Sequence, residues 1–421
     1  MNEALPDLPD LPDLPGGRPM TEVLPAFRIG RLPRITFGSG SLADVPGIVA
    51  GHGSHVLLVR GGRSFDDSPR RAELERGLAL AGVEIAGIVS VSGEPGPADV
   101  EGPVERFRGV ALDVVLGIGG GAVLDTAKAI AGLLRSGTQL MDHLEGVGRG
   151  VPYPGPALPV VAVPTTAGTG SEATRNAVIS ERGPHGYKRS FRDERLVPAD
   201  AVVDPDLLAT APRALIAANG LDALTQLLEA FTSQRATPFT DALARSGLAA
   251  ARDGLLAWHA DPGGPQAPAA RSQMAYAALL SGICLANAGL GAVHGLASPL
   301  GALLPIPHGM ACGAVLWQTI ETNVMALLER APEAASLDRY SEAGRILAAL
   351  PAGQSDERAR ASLVDTLRGW VERLEAPGLA AFGMRQEHIA GVVADSPGSS
   401  MQTNPVALTD AELTDILQRA L

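Results

Sequence analysis

Asp113-Val114-Val115-Leu116-Gly117-Ile118-Gly119-Gly120-Gly121-Ala122-Val123-Leu124-Asp125-Thr126-Ala127-Lys128 runs from an apolar stretch through three consecutive glycines into a helical pattern. It reads as a strand, a tight turn and a helix start. Glycines at 119, 120 and 121 let backbone N–H groups approach a pyrophosphate, and the helix N-terminus favours the anion. Asp125 is read in the first helical turn, where the helix dipole also favours a carboxylate. A tight strand-to-helix connection gives the same pattern, and the spacing is neither the ordinary dinucleotide fingerprint nor a P-loop.

Working outward, short apolar runs at 34–37, 56–59, 84–89, 114–118, 160–163 and 201–203 alternate with helical patterns such as 71–81 and 123–134. Strand–helix alternation predicts a parallel sheet with crossover helices. After about residue 206 the strand pattern ends and helical periodicity runs to Leu421, beginning with 212–217 and 220–232. The expected fold is an α/β dinucleotide-binding domain over 21–205 followed by an all-α domain over 206–421. Residues 1–20, a Leu-Pro-Asp repeat, are read as a disordered Pro-rich arm.

A second loop, Pro164-Thr165-Thr166-Ala167-Gly168-Thr169-Gly170-Ser171-Glu172, also follows an apolar run. Its hydroxyls and free amides suit phosphate and ribose, and two such loops point to a dinucleotide. Asn176, just beyond, is a candidate for hydrogen bonding to substrate; backbone capping is the alternative.

Composition narrows the function. The chain has 421 residues, 46% hydrophobic but only 4% aromatic, so the core must be built from small aliphatic side chains. A net charge of -12 and the lack of a basic stripe argue against nucleic-acid binding. The apolar region 276–320 is interrupted by Asn287, His294, Pro299, Pro305, Pro307 and His308, which predicts buried helices rather than membrane spans. The N-terminus lacks the basic and apolar regions of a secretion signal. Cys284 and Cys312 make no disulfide framework and have no metal-ligand spacing, so a cytoplasmic location is expected. Lys128 and Lys188 are the only lysines among 34 basic residues, which marks both as positions where a guanidinium would not fit, unless they survive by chance.

In the helical half, Asp222 and Gln226 stand at i and i+4 and project from one helix face. His294 and His308 follow, separated by Gly and Pro turns. Four ligand-type side chains in apolar surroundings suggest one buried site, with a divalent metal beside a nicotinamide.

The chain resembles the iron-containing (group III) alcohol dehydrogenases from about residue 25 to its end. The resemblance is carried by segments 119–128 and 165–172, Asp204-Pro205-Asp206, segments 220–229 and 289–309, and Asn404-Pro405-Val406-Ala407-Leu408-Thr409. It implies the same two-part fold and a metal-assisted, NAD(P)-dependent alcohol dehydrogenase or aldehyde reductase acting on a small or medium substrate. It further implies that Gly119, Gly120 and Gly121 wrap the pyrophosphate and that Thr165, Thr166 and Thr169 line the nicotinamide side. Lys188 would reach the nicotinamide ribose, and Lys128 would support the glycine-rich helix. A homodimer or higher homo-oligomer is the implied assembly.

Three positions depart from the family pattern. Gly61 stands where members that prefer NAD commonly carry an Asp. Glycine leaves room for a 2′-phosphate that Arg63 and Ser64, beside Gly62, would bind, so the reading leans to NADP(H) over NAD(H). Gln226 replaces a ligand His; its amide oxygen is a harder donor, which favours Fe2+ or Mn2+ over Zn2+. Ser298 replaces a cleft His, so proton exchange would run through water, Ser298 or ribose hydroxyls. A metal-free oxo-acid reductase of the maleylacetate reductase kind, a lyase of the dehydroquinate synthase type and a non-catalytic binding protein are the alternatives. Asp222 and a scarcity of basic pocket residues weigh against the first, and the 220–229 and 289–309 segments against the second. The co-occurrence of both loops with the site residues weighs against the third.

Overall fold

The structure is a computed structural model, and it describes residues 24–62, 65, 67–181 and 186–421. The proposed arm at 1–20, Arg63 and Ser64 lie outside the described residues.

The described residues form eight strands: β1 (Arg34–Phe37), β2 (His55–Gly61), β3 (Glu84–Val91), β4 (Val114–Gly119), β5 (Val160–Pro164), β6 (Asn176–Glu181), β7 (Tyr187–Arg192) and β8 (Asp200–Val203). Six form one sheet in the order β1-β8-β5-β4-β2-β3, parallel throughout. Strands β4 and β5 are buried at every position, as expected of central strands covered on both faces. The chain runs from β2 outward to β3, returns to β4 beside β2, and then builds the other way. The switch point therefore lies between β2 and β4, where ligands of open α/β sheets bind outside the carboxyl ends. Gly61 and Gly119 end those two strands, and Gly119 pairs with Pro164 of β5. Both glycine-containing loops thus leave the same edge of the sheet.

The antiparallel hairpin of β6 and β7 is an addition to the sequence expectation. Alternation sends Ala177, Ile179 and Phe191 into the core beside the helix Gly121–Ser136, while Asn176, Val178 and Ser180 face the cleft opposite Arg192, Ser190 and Lys188.

From Arg213 onward the described chain is helical. The helix Arg213–Thr232 is continuous where two segments were expected, and its residues 220–232 are buried all round, the pattern of a central core helix. Pro238–Ala260, Ala267–Ala288 and His308–Arg330 pack around it. Two glycines permit this closeness. A β-carbon on Gly309 would lie 1.8 Å from the carbonyl oxygen of Ala218, so the helix starting at His308 can press directly on the central helix. Gly170, with φ of 60°, lies where a β-carbon would be 2.5 Å from Gly282 Cα; this docks the threonine-rich loop onto Ala267–Ala288. No single helix among the described residues is long and apolar enough to cross a membrane.

Candidate active site

A cleft of about 270 Å³ opens between the strand edge and the helical half. Gly121, Asp125, Thr169, Asn176, Lys188, Asp222, Gln226, His294, Ser298 and His308 all line it, so most of the residues singled out in the sequence converge.

At its deep end the helices Arg213–Thr232, Ala292–Leu303 and His308–Arg330 bring together Asp222, His294, His308 and Cys312. Nε2 of His294 is 3.3 Å from Oδ1 of Asp222, and Nε2 of His308 is 3.9 Å from the same oxygen. The Cys312 Sγ lies 3.8 Å from His294 Nε2 and 4.0 Å from His308 Nε2. Four donors of metal-ligand type lie within 4.8 Å of one another, and Nδ1 of His308 is buried without a partner. The donor set fits a divalent cation.

Charge points the same way. Burial opposes a charged His294, yet Cys312, Glu229 and Asp222 together hold its pKa well above the usual value. Burial likewise opposes ionised Asp222, but the two histidines and Gln226 hold its carboxyl below the ordinary range. The His308 pKa falls to about 3, chiefly by burial and then by the nearby Lys188 ammonium.

Gln226 lines the cleft with its amide held between Asp222 and Ser281. Its Nε2 donates to Asp222 Oδ1 at 3.0 Å, and its Oε1 accepts from Ser281 Oγ at 2.8 Å. A carboxylate only accepts, so the amide nitrogen must face Asp222, and the oxygen expected as a ligand points at Ser281. Cys312, read earlier as lacking ligand spacing, completes the cluster instead. It stands one turn after His308, the i and i+4 relation that Asp222 and Gln226 also have. Glu229 continues that stripe at i+7, and its carboxylate accepts from Nδ1 of His294 at 2.6 Å and from the Val293 N–H at 2.7 Å.

At the other end of the cleft, Gly120 caps the helix Gly121–Ser136 without any side-chain hydrogen bond, leaving the N-terminus open to an anion. Thr169 lies against Gly121, where a β-carbon would come within 2.6 Å of its Cγ2, and Thr166 lies against Gly120. Thr165 donates its N–H to the Gly119 carbonyl at 3.0 Å, joining the two loops, and its side chain is absent from the cleft lining. Among the described residues, a β-carbon at Gly61 would meet only Val123 Cγ2, at 3.7 Å, and one at Gly62 only the Val91 carbonyl, at 3.9 Å.

Asp125 lies a turn further into the helix than expected, because the helix begins at Gly121. It accepts from Ser171 Oγ at 2.5 Å and from the Val178 N–H at 3.0 Å, and pairs with Lys128 at 3.0 Å, so its oxygens tie the helix to the threonine loop and the hairpin. Lys128 is fully buried and also donates to the Ser171 carbonyl and Thr174 Oγ1, tying the glycine helix to the threonine loop. Burial lowers its ammonium pKa against the pull of Asp125 and Glu172. Lys188 is paired with Glu94 at 2.6 Å. Glu94, which sequence reasoning missed, is held below the usual carboxylate range by Lys188 in spite of burial. The cleft is also more basic than the sequence suggested, since Arg189 and Arg192 line it beside Lys188.

Comparison with known proteins agrees with this architecture. The family described as "Iron-containing alcohol dehydrogenase" matches residues 33–205, and "Fe-containing alcohol dehydrogenase family, C-terminal" matches residues 216–421. The NAD-dependent methanol dehydrogenase of Bacillus methanolicus is 29% identical over 397 residues, covering 92% of this chain and 98% of that protein. The NADPH-dependent butanol dehydrogenase of Clostridium saccharobutylicum is 30% identical over 369 residues, covering 86% of this chain and 88% of that protein. Among solved structures, a 1,3-propanediol oxidoreductase superposes with a TM-score of 0.84 at 27% identity, covering 94% of this chain and all of that one. The chain belongs to the iron-containing alcohol dehydrogenase family, and within it is an oxidoreductase of the alcohol dehydrogenase or aldehyde reductase type.

Proposed function

We propose that the chain is a metal-assisted, NAD(P)-dependent alcohol dehydrogenase or aldehyde reductase for small or medium substrates. The observation that carries this reading is the convergence of Asp222, His294 and His308 in the same cleft as the open N-terminus of Gly121–Ser136.

Asp222, His294 and His308 would hold the cation, and Gly119, Gly120, Gly121 and Thr169 the cofactor pyrophosphate. A bound cation supplies Lewis acidity at the substrate oxygen, and the nicotinamide supplies the hydride. Glu229 keeps the proton of His294 on Nδ1 and so leaves Nε2 directed at Asp222. Asn176 and Ser298 line the cleft and offer hydrogen bonds to substrate, and Ser298 provides a hydroxyl route for proton exchange. Leu285 and Leu290 give the cleft an apolar wall that suits an alkyl chain. Lys188, paired with Glu94, would reach a ribose hydroxyl. The open space at Gly61 supports NADP(H). A homo-oligomer is part of the proposal: β1 is a sheet edge carrying exposed Ile35 and Phe37.

The metal-free oxo-acid reductase reading gains from Arg189 and Arg192, though Glu94 and Glu145 offset Lys188 and Arg192. The buried four-donor cluster favours the metal-dependent one. The test is oxidation of NADPH and NADH on a panel of neutral and carboxylated aldehydes, before and after chelation. Turnover of neutral aldehydes, abolished by chelator and restored by a divalent cation, is expected. Turnover unaffected by chelator would overturn the metal-dependent reading.

A further inference from the structure

The three expected protein donors Asp222, His294 and His308 leave one ligand position to assign, and the structure offers two candidates for it. Gln226 presents an N–H, which cannot ligate, while its oxygen is engaged by Ser281. Cys312 is fully buried and presents Sγ to both histidine Nε2 atoms, at 3.8 and 4.0 Å. Donors bound tetrahedrally to zinc at about 2.0–2.3 Å lie roughly 3.3–3.6 Å from one another. Four of the separations are 3.3, 3.8, 3.9 and 4.0 Å and all four donors lie within 4.8 Å of one another, so the set would close on an ion by inward side-chain shifts of up to about an ångström.

We propose that the Cys312 thiolate is the fourth protein donor of this metal site, and that Gln226 is a positioning residue that steers the Asp222 carboxylate. The proposal rests on the metal-dependent reading above and departs from the all-oxygen-and-nitrogen ligand set expected from sequence.

Three consequences follow from the chemistry. On binding, the thiol loses its proton to solvent as the sulfur–metal bond forms, with no change of oxidation state. Two anionic donors, Asp222 and Cys312, then neutralise a divalent charge, whereas an Asp, two His and Gln would leave one positive charge. The softer sulfur donor shifts preference towards zinc, cobalt or iron and away from manganese. The other cysteine, Cys284, lies elsewhere in the helical core, its Sγ directed at the Thr240 carbonyl at 3.6 Å.

The test is cobalt substitution of the full-length metal-free protein, read by absorption. One equivalent of Co2+ should produce a strong thiolate-to-cobalt charge-transfer band in the near ultraviolet, together with the visible bands of a four-coordinate ion. Cys312→Ser should abolish the near-ultraviolet band and weaken Zn2+ and Co2+ binding at least about tenfold, with a smaller loss for Mn2+. Gln226→Ala and Cys284→Ser should both keep the band. Stoichiometric cobalt in the wild-type protein without the band would overturn the thiolate assignment and leave metal dependence standing. Failure to bind cobalt at all would remove both. The wild-type spectrum decides even if a variant fails to fold.

Discussion

The carboxylate of Glu229 lies 2.6 Å from Nδ1 of His294, and this contact determines which nitrogen of the ring faces Asp222. The second Glu229 oxygen accepts the Val293 N–H at 2.7 Å, so one side chain fixes both the ring and the start of the helix that carries it. Such outer partners set the tautomer and basicity of a ligand histidine. Glu229→Gln, similar in shape but neutral, is expected to lower metal affinity about 10- to 100-fold with the far-ultraviolet circular dichroism unchanged. A chelator-competition titration measures this, and unchanged affinity would contradict the role given to Glu229.

Gly61 ends β2 at the switch point, with Val123 alone among the described residues near an added β-carbon. An aspartate there has room to accept from a ribose 2′-hydroxyl and would repel a 2′-phosphate. Gly61→Asp should shift the ratio of kcat/KM for NADPH over NADH towards NADH by at least about tenfold, in line with a charge-assisted hydrogen bond gained or lost. Steady-state kinetics with both cofactors decides it, and an unchanged ratio removes Gly61 as a determinant.

Burial raises the Glu172 carboxyl to about 7, against the opposing pull of the Lys128 ammonium. The sign follows from proton linkage. Between the ordinary carboxyl value and about 7 the unfolded chain releases this proton while the folded chain keeps it. Stability from this group is therefore complete at low pH, falls as pH rises through that window, and levels off above it. The loss is on the order of 3 kcal/mol. Glu172→Gln should flatten this part of the profile and raise stability at pH 8 relative to pH 5, as read by urea denaturation. A profile of unchanged slope would contradict the shift.

Arg192 faces the cleft directly across the hairpin from Asn176, and its buried Nε is 3.3 Å from Glu145 Oε1 without the alignment of a hydrogen bond. That leaves donor capacity for an anionic substrate group. Arg192→Leu is expected to lower kcat/KM for a carboxylated aldehyde about tenfold relative to a neutral aldehyde of the same length. Equal changes for the two would show that Arg192 does not face the substrate.

Much of this architecture was legible in the sequence for simple reasons. Apolar runs marked the six parallel strands, and the glycines at 119–121 marked the strand edge that opens on the cleft. The hairpin was not legible: β7 reads Tyr-Lys-Arg-Ser-Phe-Arg, largely polar because one face lines the cleft, so Tyr187 and Phe191 alone hint at a buried side. Asp222 could be found by helical spacing, and Glu229, at i+7 on the same face, was available by that rule but not taken. The orientation of Gln226 depends on Ser281, 55 residues away on another helix, which no local pattern reveals. Cys312 was weighed only against the other cysteine, for disulfide and ligand spacing, although its one-turn spacing from His308 carried the information.

The most direct test of the account is metal stoichiometry. Chelator-stripped protein should be dialysed to equilibrium against Fe2+ under reducing conditions, or against Zn2+, and assayed by elemental analysis beside Asp222→Ala. The account predicts one ion per wild-type chain, essentially none in the variant, and aldehyde-dependent NADPH oxidation that rises in proportion to occupancy. A wild-type chain that stays metal-free yet reduces aldehydes at full rate would contradict it.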